Sequence, residues 1–218
     1  MGSITRGLSN NITTGGVILP AGITNASVSA VTSFANASSG TLILLSTQTA
    51  SNSATISFTT GLNSTYDEYQ FKFIDIHPRT DNVIFEFNMS TDSGSNYNVT
   101  KTTTSFNAYH NESDSGAAIN YDTSNDLAQS TGFQLLSVAI GSDADQNLGG
   151  VLTLFNPSST TYVKHFIADV NNYSYHDYSI RDLTAGYGNT TSAVNAVQFK
   201  MSSGNFDGVI KLYGVKKS

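Results

Sequence analysis

Apolar side chains recur at every second position through most of this chain and almost nowhere at every third or fourth. In "YQFKFIDI" Tyr69, Phe71, Phe73 and, at the end of the run, Asp75 share one side, while Lys72, Ile74 and Ile76 take the other. In "NVIFEFNMS" Val83, Phe85 and Phe87 oppose Ile84, Glu86 and Asn88. Period-two alternation marks a strand with one dry face and one wet one. Segments 54–58, 68–76, 82–89, 103–109, 133–140, 151–155, 162–170, 178–182, 193–201 and 208–213 read as strands separated by turn residues. No long stretch combines a 3.6-residue period with capping signals, so at most one short helix is expected, over residues 126–130. The pattern predicts an all-β protein, an antiparallel β-sandwich of jelly-roll type with about 8–10 strands.

The chain closes on "VQFKMSSGNFDGVIKLYGVKKS". Val197, Phe199 and Met201 alternate with Gln198 and Lys200, and Ile210 and Leu212 with Lys211 and Tyr213. Gly204, Asn205, Asp207 and Gly208 between them predict a hairpin, with Phe206 folding back over its loop and both lysines in solvent. On this reading the C-terminus completes the sandwich and attachment falls to the other end.

Residues 1–50 break the pattern. They are almost uncharged beyond Arg6, rich in Asn, Ser, Thr and Gly, and lack sustained periodicity. They read as an extended N-terminal arm, with residues 51–218 as the sandwich domain. Val17, Ile18, Leu19 and Pro20 are the expected anchoring residues, β-prone up to a proline that limits pairing to an edge. A segment this apolar and uncharged is expected to be ordered by contact with its own domain or a neighbouring subunit.

Composition narrows the partners. Only 12% of the 218 residues are charged, the net charge is -6, and there is no cysteine. Disulfides, thiolate metal sites and cysteine nucleophiles are therefore excluded. Duplex binding needs clustered Lys and Arg, whereas the ten here are scattered, so nucleic acid is not an expected partner. The longest apolar run, residues 42–45, is far short of the roughly 20 residues that span a bilayer, and no membrane partner is expected. The N-terminus lacks the charged start and apolar stretch of a secretory signal. The nine Asn-x-Ser/Thr sequons follow from the abundance of those residues.

Chemistry is sparse. Glycoside hydrolysis needs two facing carboxylates, one of them in an apolar setting. Glu86 reads as outward-facing and Asp75 as partly buried structure, and no pair stands out. His77, His110, His165 and His176 lack ligand spacing, and His165 is in phase with Val163 and Ile167, as a core-edge residue would be. "GSDADQNLGG" places Asp143, Asp145 and Asn147 at alternate positions, a partial match to a calcium loop that lacks its glycine and closing glutamate; the segment reads first as a surface hairpin loop, with calcium the lesser alternative. No cofactor is expected. "NYSYHDYSIRD" is the most site-like run, with Tyr173, Tyr175, His176 and Tyr178 as expected ligand or interface residues, since tyrosine is enriched in contact surfaces.

Several phrases, "SITRGLSNNITTGGVILPAGITNASVSAVTSF", "GTLILLSTQTASNSATISFTTGLNSTYDEYQFKFIDIHPRTDN", "LTLFNPSSTTYVKHF" and "GVIKLYGV", resemble small virion structural proteins of tailed bacteriophages, marine ones in particular. The resemblance runs along most of the chain and defines no site residue. It implies a non-enzymatic, jelly-roll-like domain on the virion, as a capsid decoration, cement or head-fibre protein. The implied partners are a major capsid protein or tail components, in a homo-oligomer expected to be a trimer. The alternative is a tail-fibre or receptor-binding module for host-surface glycans.

Overall fold

A computed structural model describes residues 41–216 in full, together with the backbone of two short strands near the N-terminus. The chain divides into two units, residues 1–39 and 40–218. In the first, β1 (Ile12–Thr13) and β2 (Gly16–Val17) pair antiparallel. Of the expected anchoring residues only Val17 takes part, through its backbone opposite Ile12; Ile18, Leu19 and Pro20 lie outside the described residues.

The second unit is a sandwich of two antiparallel sheets. Its strands are β3 (Leu42–Ser53), β4 (Thr55–Phe58), β5 (Glu68–Pro78), β6 (Val83–Ser90), β7 (Lys101–Asn111), β8 (Ala117–Tyr121), β9 (Gln134–Ile140), β10 (Leu148–Phe155), β11 (Lys164–Tyr173), β12 (Tyr178–Gly188), β13 (Ala196–Met201) and β14 (Phe206–Val215). One sheet runs β4-β13-β6-β9 and the other β3-β14-β5-β10-β11-β12-β7-β8. Within this order β3 pairs with β14, β4 with β13, β5 with β10 and β6 with β9. Those are the pairs made by rolling up one long antiparallel ribbon, and the chain changes sheet at each step from β3 to β6, from β9 to β10 and from β13 to β14. The fold is a jelly roll. Two inserted hairpins, β7–β8 and β11–β12, join the long sheet beyond β10 and extend it.

Alternation puts aromatic rings between the sheets. Phe199 of β13 meets Phe58, Phe71, Phe73, Phe85 and Phe87 at centroid separations of 5.2 to 6.3 Å. Edge-to-face contacts predominate, which suits the ring quadrupole. Beneath the extension the interior turns polar. Thr103, Ser105, Asn172, Asp182 and Thr184 face Gln134 and Ser137 of β9, and Lys101 reaches Asn88 of β6, all buried.

Each of the ten expected strands has a counterpart, and within the sandwich β3 and β8 are additional. Among the described residues there is no helix, and residues 126–130 form bends and a single bridge. Residues 42–50, assigned to the arm by composition, belong to β3 and pair with β14. The closing hairpin does not form. β13 and β14 lie in opposite sheets, each between two neighbours, and their buried residues Phe199, Met201, Ile210 and Leu212 face one another across the core. Lys200 is half-buried over the Phe133 ring, 4.5 Å from its centroid, and 3.4 Å from Glu86. Asp75 is exposed, because a left-handed backbone there (φ 50) makes a bulge that turns Ile76 into the core. His165 is also exposed, on the outer face of the extension; its neighbours Lys164 and Phe166 point inward.

Candidate functional site

The β11–β12 turn carries the tyrosine-rich run at one end of the extended sheet. Buried Ser174 organises it: its backbone N–H donates to Tyr178 O at 2.9 Å and its hydroxyl accepts from the backbone N–H groups of His176 and Tyr178, each at 3.3 Å. Asp177 takes a left-handed conformation (φ 61), which aspartate tolerates in turns. The turn is tied to the end of β9 and to the loop before β10. Tyr173 N donates to Asn147 O at 3.0 Å, Tyr175 N to Ala139 O at 3.0 Å, and the Gln146 amide to Ser174 O at 3.1 Å. Gly141 makes room for that amide, since a Cβ there would fall 1.8 Å from Gln146 Oε1.

Three of the four predicted residues form a row of rings. Tyr175 and His176 lie 3.7 Å apart, and His176 is 6.1 Å from Tyr178. Tyr178 in turn stacks on Tyr109 of β7 at 5.5 Å, nearly parallel. Tyr173 stands apart from this row. Its phenol is pushed up to about 12, first by burial and then by its hydrogen bond with Glu112 and the nearby charge of Asp177, whose Oδ1 lies 3.3 Å away.

Glu112 belongs to two neighbouring depressions. The first, of about 360 Å³, is lined by Tyr173, His110, Asn147, Gly149 and Asn171. The second, of about 340 Å³, includes His176, Asp177 and Tyr178. No family model, curated protein or solved structure matches this chain.

The sequence reading weighed His110 only as a metal ligand or base, and it did not place Tyr109, His110 or Glu112 beside the tyrosine run, because they reach the turn through pairing of β7 with β12, with Asn111 opposite Tyr178. Only the strand pairing itself would have revealed them. In the 141–147 loop Asp143, Asp145 and Asn147 are exposed. Among the described residues no three His, Cys, Asp or Glu side chains gather in a way that would hold a metal. The one described carboxyl raised by burial, Asp182 at about 6, faces the interior and accepts from Ser137 Oγ at 2.8 Å. There it serves the polar core.

A second surface lies on the outer face of the extension. Register aligns Ile167, Ala185 and Thr104 in one row and Leu183, Phe106 and Tyr121 in the next. Ile167 is 52% exposed, Phe106 41%, and Ile119 on the edge strand 80%. One ion pair, Arg181–Asp169 at 2.6 Å, crosses this face.

Proposed function

We propose that this chain is a structural protein of a tailed-bacteriophage virion, a capsid decoration, cement or head-fibre protein that binds the shell through the residues preceding β3 and displays the jelly roll outward. The observation that carries the reading is the outer face of the extension, where Phe106, Ile119 and Ile167 stand exposed on a jelly roll with little surface charge. Apolar patches of this kind mark contact surfaces, and sister subunits in a homotrimer are the partners proposed for it. Jelly rolls serve both capsids and lectins, so the fold is compatible with the reading without selecting it. The reading is non-enzymatic.

A second reading is recognition of host-surface glycans, tail-borne or head-borne, favoured by the row of rings beside two depressions at the β11–β12 end. Immunogold labelling of virions with an antibody to the purified chain tests the assignment. Gold over the head, and restoration of a stoichiometric coat when the chain is added to stripped particles, is the expected result. Gold confined to the tail overturns decoration, and absence from virions overturns both readings.

A further inference from the structure

The first depression has features that narrow what it would hold. Among the described residues its lining carries one carboxylate, Glu112, several side-chain amides, an aromatic ring and no lysine or arginine. The ring of Tyr173 is pinned at its hydroxyl by Glu112 and Asp177, which leaves it a fixed platform. Asn171 is held by donating to Ser179 Oγ at 3.1 Å and Ile180 O at 2.9 Å, so its amide keeps one orientation and its carbonyl oxygen serves as acceptor. His110 is held by Asp114 at 3.0 Å.

Gly149, opposite Asn171 in the β10–β11 ladder, leaves the space open. Its φ lies outside the left-handed region, and an added Cβ would meet only Phe73 O, at an ordinary 3.7 Å. The backbone thus tolerates a side chain at this position, and what glycine provides is the depression.

We propose that this depression binds a neutral sugar, with the Tyr173 ring against its apolar face and Glu112, Asn147 and Asn171 exchanging hydrogen bonds with its hydroxyls. Sugar hydroxyls are both donors and acceptors, and planar amides and carboxylates match adjacent pairs of them. A few fixed polar groups around an apolar platform is the usual composition of a small-molecule site. Among the described lining residues, an anionic sugar would meet Glu112 with no lysine or arginine to offset the repulsion, and a cation would find one carboxylate. The proposal rests on the glycan reading above and names its site and ligand class.

The test is isothermal titration of the full chain with mannotriose and N-acetylglucosamine trimer, with trigalacturonate as the anionic comparison. A neutral trisaccharide is expected to bind. Gly149→Val, which fills the depression, and Tyr173→Ala should each weaken binding by about tenfold or more, while Tyr175→Ala leaves it unchanged. Urea midpoints of the variants establish that they fold, and Tyr173→Phe, which keeps the ring but loses the hydroxyl that pins it, should bind more tightly than Tyr173→Ala and more weakly than the unmodified chain. Unchanged affinity in Gly149→Val, or trigalacturonate bound as tightly as the neutral sugars, overturns the proposal. Binding that survives Gly149→Val but falls with Tyr175→Ala or Tyr178→Ala overturns this site and leaves the glycan reading standing; binding to no probe and to no member of a glycan array removes both.

Discussion

Two lysines show how far a single residue can depart from its expected place. Lys101 and Lys164 alternate in phase with core positions and are buried on either side of Gly188, which pairs with both across β12. The open side of Gly188 is taken up by Met89 and Val99, and carbonyl oxygens supply the lysines with partners. Lys101 Nζ donates to Asn88 Oδ1 at 2.5 Å and Val99 O at 2.8 Å, and Lys164 Nζ to Tyr162 O and Thr190 O at 2.5 and 3.2 Å. Burial brings the Lys101 amine from 10.5 down to about 7 and lowers that of Lys164. Between those limits the unfolded chain holds a proton that the folded chain has released, so stability rises with pH from about 7 upward. Asp182 works in the opposite sense. Its carboxyl is raised from 3.8 to about 6, the folded chain keeps the proton longer, and stability falls as pH rises through that window. Stability set by these groups therefore passes through a minimum near neutrality. The urea midpoint is expected to climb between pH 7 and about pH 9.5, with Lys101→Met removing most of the climb and Lys164 leaving a remainder. Asp182→Asn should abolish the fall between about pH 4 and 6, worth at most about 3 kcal/mol at roughly 1.4 kcal/mol per unit. A midpoint that is flat or falling from pH 7 to 9.5 in the unmodified chain would contradict the account of Lys101. None of this was legible in the sequence, where a lysine between threonines reads as solvent-facing. The row from Tyr175 to Tyr178 was legible, because its members are local and aromatic.

At the scale of elements, period-two alternation located strands well and said little about which strands pair. β3 was missed because after residues 42–45 all its side chains except Ala50 are Ser, Thr, Gln and Asn, polar on both faces as an edge strand permits. β8, only five residues long, has too little pattern to read. The bulge in β5 is the clearest failure of simple alternation. Asp75 at φ 50 faces Gly208 at φ 130 on β14, and this register shift moves Ile76 to the dry side, where strict alternation had placed Asp75. A Cβ at Gly208 would lie 2.6 Å from Asp75 O and 2.9 Å from Ile76 Cα, so the bulge depends on glycine both for its backbone angle and for the close approach. Gly208→Ala is expected to cost about 2–4 kcal/mol in urea unfolding. Gly149→Ala, on the same sheet but with ordinary clearance, should stay within about 1 kcal/mol of the unmodified chain. Equal effects at the two positions would mean that the Asp75–Gly208 bulge does not constrain the fold.

For the whole molecule, turn spacing and the absence of helical periods led to the β-sandwich and its jelly-roll type, while the individual pairings stayed hidden. β3 with β14 and β4 with β13 join residues more than a hundred positions apart, and such contacts leave no local mark. The inserted hairpins were hidden for the same reason, so the extension that carries both the apolar outer face and the sugar-sized depression emerged only with the topology. Every strand of the sandwich lies after residue 41, including the edge strand β3, whose pairing with β14 begins at Leu42 opposite Val215. Among the described residues, its aromatic core draws only on that unit. A chain beginning at Gly40 thus contains every strand of the jelly roll, and its unfolding free energy should fall within about 1 kcal/mol of the full chain's. If the residues before β3 hold the protein on a capsid, the shortened chain folds and yet fails to sediment with stripped particles that the full chain coats. Sedimentation of both chains alike would move attachment onto the jelly roll itself. The exposed side chains of Phe106 and Ile167 would then be the next positions to replace, each by serine, with loss of coating as the expected result.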